Sequence, residues 1–369
     1  MLDCEERALG GGVTAEIGTT GGISRVSGTA RSEGGAVEWS AIRKVLVDDE
    51  RPWVDDLVLP RHDPRGFEYW RREAEWYADA ALADLGPRLE MPRCLAIDDH
   101  DDRIELWLDE MADVGPATWD MAEYHDASSA LGDWAGRWLA EPTLPDRPWF
   151  TRSRIPSWLD LGAPGIARLA SDERTGLCAA WFDADTLERL LALWARRGEL
   201  LAVRSQLPVT LCHHDATRRN LGFRGTGDDR SLVAIDWQFV GRGHLGDEPA
   251  AMVTATLQFL DVAMDDAAAF RRSAIDGYTD GLASVGWDGD PRLVELGFDT
   301  SAALLMALGG AGMWFAGFAS GLMTDEIAET IVGRPADEIG AAWARLWSDL
   351  LDLGDAALAA APSILPDPR

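Results

Sequence analysis

The sequence predicts an α+β chain in two lobes: a small β-rich N-terminal lobe with one key helix, and a larger, mainly helical C-terminal lobe. Three observations carry this. Short β-type runs broken by glycine turns fill the first part of the chain. A single helical stripe interrupts them between Phe67 and Ala81. From Glu248 to about Ala361 the pattern is helical throughout. The change of texture after Met111 divides the chain into 1–111 and 112–369, and 47% hydrophobic residues over 369 positions are ample for a core in each.

The elements run in order along the chain. "VTAEIGTTGGISRVSG" reads as two β runs around a glycine turn. "ARSEGGAVEWSAIRKVLV" turns at Gly34–Gly35 and alternates from Val37 to Val47, which suggests an antiparallel meander. "DPRGFEYWRREAEWYADAALADLGP" reads as one helix, with Phe67, Trp70, Ala74, Tyr77, Ala78 and Ala81 on one face and a stop at Gly86–Pro87. "RCLAIDD" and "RIELWLDEM" form a hairpin around a polar turn. Beyond Met111, "ATWDMAEYHDASSALGDWAGRWLA" is helical, and "DTLERLLALWARRG" is an amphipathic helix closed by Gly198. "LPVTLCHHDATRRNLGF" is strand, loop and strand, and "SLVAIDWQFV" is a further β run. No internal repeat is present.

Composition narrows the function. A net charge of −29 argues against nucleic acid as a partner; it would attract a polycationic small molecule, or it serves solubility, and acidity alone does not separate the two. The four cysteines are scattered and form no CxxC pair, so neither a disulfide framework nor a zinc knuckle is indicated. The acidic start "MLDCEERALGGG" lacks the features of a secretory signal, and a cytoplasmic protein is expected. The run Thr300–Met323 carries no charge and is long enough to span a bilayer. It is solitary, flanked by Asp299 and Asp325 and without basic anchors, so it is read as two core helices split at Gly309–Gly310, with no membrane partner. Lys44 is the one lysine in the chain, the rest of the 34 Lys+Arg residues being arginine. The bias itself fits genomic base composition, and the one survivor is a candidate for a place where a compact ammonium serves and a guanidinium does not.

The chemistry concentrates in "LCHHDATRRNLGF" and in the β run that ends at Asp236. Phosphoryl transfer needs a carboxylate near the attacking hydroxyl, oxygen ligands for Mg²⁺, a cation on the phosphates and a backbone cradle over them. Asp215 suits the first role. Asn220 and Asp236 offer the hard oxygens that Mg²⁺ prefers. Lys44, at the end of "WSAIRK", is the cation, and "TTGGIS", with Gly21, Gly22 and Ser24 on a turn before it, offers backbone N–H groups.

In this order the residues resemble the aminoglycoside phosphotransferase and choline kinase-like family, which shares the protein-kinase-like fold. The family's H-x-D-x-x-x-x-N loop is met by His213, Asp215 and Asn220, and its metal aspartate by Asp236 in "DWQ". A glycine-rich tail follows in "GRGHLGDE". The resemblance implies that Lys44 pairs with a glutamate on the next helix, Glu73 being preferred over Glu75. It implies that Asp109, Glu110 and Met111 in "LWLDEMA" form the connector whose backbone holds adenine, and that ATP or GTP is consumed with Mg²⁺. The chain departs from the family pattern at His214, where glycine is usual, and its glycine-rich stretch lies far from protein-kinase spacing. The resemblance covers roughly residues 10–250.

The expected activity is transfer of phosphate to a hydroxyl of a small molecule by a monomer or homodimer. An antibiotic, with an aminoglycoside leading, heads the acceptors, followed by a nucleoside or peptide antibiotic, an amino sugar or an amino alcohol. A counter-signal is "RPWFTRSRIPSW", residues 147–158. Read plainly it is a surface loop with arginines paired to acids; lining a cleft, it suits a planar or anionic acceptor instead. The rival class is a metal-dependent phosphohydrolase with His213, His214, Asp215 and Asp236 on the metal. That rival leaves the β-rich part and Lys44 without purpose. A non-catalytic nucleotide-binding module is disfavoured because base, metal ligands and lysine are all present. A protein kinase is disfavoured because D-W-Q replaces D-F-G, and no A-P-E or arginine before Asp215 is present.

Overall fold

Strand β3 (Gly35–Val47) is the axis of the first sheet. Its hydrogen-bonded neighbours are β2 (Thr20–Ser32) and β6 (Arg103–Asp109), both antiparallel. Outside them lie β1 (Asp3–Ala8) and β5 (Cys94–Asp99), completing the order β1-β2-β3-β6-β5. In β6 the side chains alternate: Ile104, Leu106 and Leu108 are buried, while Arg103, Glu105 and Trp107 between them are more exposed. On β3, Lys44 and Leu46 share one face by the same period of two, and Leu46 joins Trp70, Ala74, Ile104, Leu106 and Leu108 in one core.

The computed structural model describes residues 3–9, 20–32, 34–48, 61–111, 119–152, 154–171 and 176–365. The chain falls into two units. The first takes residues 1–115 together with 147–151 and 219–240, and the second takes 116–146, 152–218 and 241–369. A single cut in the sequence does not describe such interleaving, because the β runs around Asn220 and Asp236 join the first unit. The α+β class is as expected.

The first unit holds one short α-helix among its described residues, α1 (Arg72–Ala78), followed by a 3₁₀ turn at Ala80–Leu82. The long helix expected from Phe67 to Ala81 is thus shortened at both ends. Pro64 and Gly66 lie in turns before it, and the Asp79 side chain accepts from the Ala81 N–H, drawing the chain out of α-geometry. A second sheet in this unit runs β4 (Leu89–Glu90), β9 (Ser231–Ala234) and β8 (Leu221–Arg224). β8 and β9 are antiparallel, and β4 joins parallel to β9.

Among its described residues the second unit is helical apart from the pair β7 (Val209–Cys212) and β10 (Gly241–His244). Helix α2 (Met121–Ala140) begins in a capping box between Asp120 and Glu123. Helices α3 (Arg154–Leu169), α4 (Gly176–Trp181), α5 (Ala184–Ala195) and α6 (Arg197–Arg204) follow. Gly198 therefore does not cap α5; it lies inside α6, and Asp183 caps the start of α5. After β10 come α7 (Asp247–Gln258), α8 (Ala267–Ser284) and α9 (Arg292–Ala302). A π-helical stretch at Ala303–Gly310 continues into α10 (Ala311–Ser320), with α11 (Asp325–Val332) and α12 (Ala336–Ile364) last.

Residues 300–320 of the uncharged run therefore lie in one continuous helical rod over 292–320, not in two helices split at Gly309–Gly310. It is long and apolar enough to cross a membrane, and 72% of its most apolar stretch is buried inside the protein. Its small residues serve close packing on α3. A Cβ on Gly165 would stand 1.8 Å from the Gly312 carbonyl oxygen, and one on Gly162 would stand 2.4 Å from that of Gly309. Helices α2 and α8 meet the same way through Gly132 and Gly281. Several of the tryptophans are core: Trp181 stacks on Trp347 at 5.4 Å and packs on Trp343 at 4.6 Å.

Candidate active site

Lys44 Nζ lies 2.6 Å from Glu73 Oε2 and 2.8 Å from Asp236 Oδ1. All three belong to the first unit. The face of β3 that carries Leu46 into the core carries Lys44 toward α1, which presents Glu73 from its first turn. Of the two candidate glutamates, Glu73 makes the pair; it is buried and Glu75 is half-buried. Burial works against the Lys44 charge, but the carboxylates of Asp236 and Glu73 outweigh it and raise the ammonium above its ordinary pKa. Burial pushes the Glu73 carboxyl up against the pull of Lys44.

Asp236 sits just past β9 with φ 64° and ψ 63°, a left-handed backbone that costs a non-glycine residue about 1–2 kcal/mol and that aspartate tolerates better than most. The segment after it is held from several sides. Trp237 stacks on Trp76 at 4.6 Å and Phe239 on Phe67 at 4.5 Å. Fully buried Arg72 donates to the carbonyls of Gln238 at 2.8 Å, Trp149 at 2.7 Å and Phe67 at 3.0 Å. Helix α1 thus braces the cation through Glu73 and the metal-type aspartate through its following residues. Asn220 precedes β8, and its carbonyl accepts from the Ile235 N–H at 2.9 Å. With Leu221 opposite Ala234, this register puts Asn220 and Asp236 at the same end of the β8–β9 hairpin.

Asp215 belongs to the second unit. It comes after β7 and the two histidines. His213 is buried, and its Nδ1 accepts from the Asp215 N–H at 3.2 Å, so it shapes the loop. His214, for which the sequence left a surface and a substrate-facing role open, is buried as well, with φ 66°. That positive φ explains why glycine suits this position. Burial lowers the His214 pKa to about 3, so the ring is neutral, and its Nε2 donates to the Arg242 carbonyl at 3.0 Å. Its backbone N–H donates to Glu248 at 3.0 Å.

The Asp215 carboxylate is gripped by Arg154, whose Nη1 donates to Oδ1 at 2.9 Å and also to the His214 carbonyl. The arginine-rich stretch 147–158 thus divides. Trp149, Phe150 and Trp158 are core, Arg147 pairs with Asp79, and Arg154 holds Asp215 while lying 4.7 Å over the Trp158 ring. Nothing in local spacing signals the Arg154–Asp215 pair; only the arginine's place in a singled-out stretch pointed near it.

The glycine-rich tail is structural. A Cβ on Gly243 would stand 2.4 Å from Cys212 Sγ and 2.7 Å from His214 Cε1. Asp247 takes both Arg204 Nε at 3.1 Å and Nη2, the Ser301 hydroxyl at 2.6 Å and the His244 N–H at 2.9 Å. Cys212, His214 and Asp247 lie close enough together to suggest a metal group, but Asp247 is committed to Arg204 and the His214 ring to Arg242. These commitments, with His213 Nδ1 turned to backbone, argue against the metal-hydrolase alternative.

The turn expected at the phosphate cradle is corrected to strand. Gly21, Gly22 and Ser24 are not on a turn; they lie in β2, with Gly22 opposite Val45 and a bulge between Thr20 and Gly22. The Ser24 hydroxyl donates to Glu6 at 2.6 Å. Residues 10–19 fall outside the described residues. In the connector, the Asp109 side chain pairs with Arg93 at 3.0 Å, Glu110 with Arg25 at 2.9 Å, and Met111 Sδ accepts from Arg224 at 3.7 Å. The Asp109 N–H donates to the Arg93 carbonyl at 2.9 Å.

A profile of the phosphotransferase enzyme family matches residues 37–287, more than half of the chain. Among solved structures, an amicoumacin kinase in complex with AMP-PNP, Ca²⁺ and Ami is similar over 91% of this chain and 87% of its own, at 12% identity and a TM-score of 0.54. A microcompartment-associated aminopropanol kinase is similar over 95% of both chains, at 16% identity and a TM-score of 0.51. A spectinomycin phosphotransferase bound to ADP and spectinomycin covers 93% of this chain and 94% of its own, at 13% identity and a TM-score of 0.50. At these identities the structures show a shared fold. No curated protein sequence matches the chain.

Proposed function

We propose that this chain, which belongs to the phosphotransferase enzyme family, moves the γ-phosphate of ATP or GTP to a hydroxyl of an antibiotic-like small molecule. That it is a small-molecule phosphotransferase follows from the family; the donor, the residue roles and the acceptor are our reading. The observation that carries it is Lys44 held between Glu73 and Asp236, a compact cation kept charged beside a metal-type carboxylate.

In this reading Lys44, braced by Glu73, positions the nucleotide phosphates. Asp215 receives the proton of the acceptor hydroxyl. The hydroxyl oxygen bonds to the γ-phosphorus as the bond to the β–γ bridging oxygen breaks, and the nucleoside diphosphate leaves. Asn220 and Asp236 suit Mg²⁺, being hard oxygen donors at one end of the β8–β9 hairpin. Bound there, the ion would neutralise phosphate charge. The connector Asp109–Met111 is assigned to adenine, and Gly21, Gly22 and Ser24 to the phosphate side of the site. The same reading makes the protein a cytoplasmic monomer or homodimer with no nucleic-acid or membrane partner.

The amicoumacin and spectinomycin enzymes support an antibiotic acceptor, while the aminopropanol kinase keeps amino alcohols in view. The test is Mg²⁺-dependent nucleotide turnover against aminoglycosides, nucleoside and peptide antibiotics, amino sugars and choline. An acceptor that gains a phosphoryl group supports the reading. A panel in which none is phosphorylated overturns it.

A further inference from the structure

Arg154 differs from the many surface arginines of this chain. It is the first residue of α3, its side chain is 13% exposed, and its guanidinium lies 4.7 Å over the Trp158 ring. One nitrogen bridges two acceptors of the same loop, Asp215 Oδ1 and the His214 carbonyl. The carboxylate assigned to receive the hydroxyl proton therefore has one oxygen occupied by a cation. Any acceptor that reaches Asp215 therefore also meets Arg154. While Arg154 and Asp215 hold each other their charges offset; an anionic group beside the hydroxyl can take the guanidinium and leave Asp215 to the hydroxyl, whereas an ammonium there draws on the Asp215 carboxylate itself. The net charge of −29 pulls the other way at long range, but salt screens exposed charges beyond about 10 Å. At the loop itself the Arg154–Asp215 pair is what an acceptor meets.

We propose that Arg154 selects the acceptor: the molecule phosphorylated at Asp215 carries an anionic group, a carboxylate or phosphate, next to its reacting hydroxyl, and that group takes the guanidinium and frees the Asp215 oxygen. The planar fork of arginine, supported on Trp158, matches such a group in two-point fashion. The inference rests on the kinase reading and narrows its acceptor away from polycations. It also implies that Arg154 restrains transfer to water, in which a water oxygen would bond to the γ-phosphorus, its proton pass to Asp215 and the diphosphate leave.

The full chain and its Arg154→Gln, Arg154→Lys and Arg154→Gln/Asp215→Asn variants are compared with Mg²⁺ and ATP, first without acceptor. Hydrolysis is expected to rise several-fold in Arg154→Gln, to lose that gain in the double variant, and to rise less in Arg154→Lys. Next, sugar acids, neutral sugars and amino sugars of one carbon skeleton are compared beside the antibiotic panel sorted by charge. The ratio of kcat/KM for anionic over ammonium-bearing acceptors should fall at least tenfold in Arg154→Gln and recover in part in Arg154→Lys. A folded Arg154→Gln protein with unchanged hydrolysis and an unchanged ratio overturns the proposal and leaves a tie between α3 and the loop. A wild-type preference for ammonium-bearing acceptors overturns it too. Should Arg154→Gln not fold, the Arg154→Lys ratio decides alone, and no movement counts against the proposal. Absence of phosphate transfer to any acceptor by the wild type would instead bring down the kinase reading, and this inference with it.

Discussion

Lys44 and Glu73 form a buried ion pair at 2.6 Å, with Asp236 completing the lysine's surroundings at 2.8 Å. Of the 34 lysines and arginines in the chain this is the one lysine, and this place holds a point charge. Lys44→Arg keeps the charge and adds a planar fork that this enclosure does not fit. We expect a folded protein whose kcat/KM falls at least tenfold, measured with nucleotide under saturating Mg²⁺. Full activity would mean that the single lysine is an accident of composition.

Asp215→Asn keeps size and removes the carboxylate. Its loop is also fixed by His213 and by Arg154 contacting the His214 carbonyl, so the variant should fold. Nucleotide affinity is expected to stay near wild type while turnover falls by about 10²–10⁴-fold, the range for loss of a general base. Equilibrium binding beside steady-state rates checks both halves. Asp236→Asn should do the reverse, weakening the Mg²⁺-dependent part of nucleotide binding; an unaltered Mg²⁺ titration would remove Asp236 as the ligand.

Much of this was legible because phosphoryl-transfer chemistry uses a few residue types in fixed order. Lys44 on a strand, Glu73 on the next helix and Asp236 after a β run are far apart in sequence but predictable in sequence order, and the structure brings them together. Arg154 was not legible as a partner of Asp215, since 61 positions separate them and nothing local marks the pair. β1 was missed because "DCEERA" has exposed charges where a strand signal would alternate, as edge strands do. Gly21–Gly22 was misplaced because a glycine pair signals a bulge as readily as a turn. The π-helical stretch 303–310 escaped because an apolar run buried all round has no periodicity that separates one helical pitch from another.

The close packing of α3 on the 292–320 rod gives a stability prediction. Gly165→Ala places a methyl 1.8 Å from a backbone oxygen of Gly312, and backbone can yield only if the helices part. We expect a loss of about 1–3 kcal/mol, the usual cost of overpacking, and a lower Tm. Gly317→Ala is the control: its Cβ would meet only Met323 at 3.5 Å, so a small change is expected. Equal effects at the two sites would show that the glycines are not there for helix approach.

His214 gives a prediction in pH. Burial holds its ring neutral in the fold, with a pKa of about 3 against an ordinary value of 6.5. Below 6.5 the unfolded chain therefore takes a proton that the folded chain refuses, and stability falls as pH drops from about 6.5 toward 3. Each pH unit costs about 1.4 kcal/mol from this group. Glu248, pushed up to about 7 by burial, has the opposite slope between about 4.5 and 7 because the folded state there holds the extra proton. The wild-type profile therefore mixes the two. The difference between wild type and His214→Asn isolates the imidazole: the variant should lose less stability on acidification from pH 6 to pH 4, by about 2–3 kcal/mol. Urea unfolding at stepped pH measures it, and parallel curves for the two proteins would show that His214 is not held neutral in the fold.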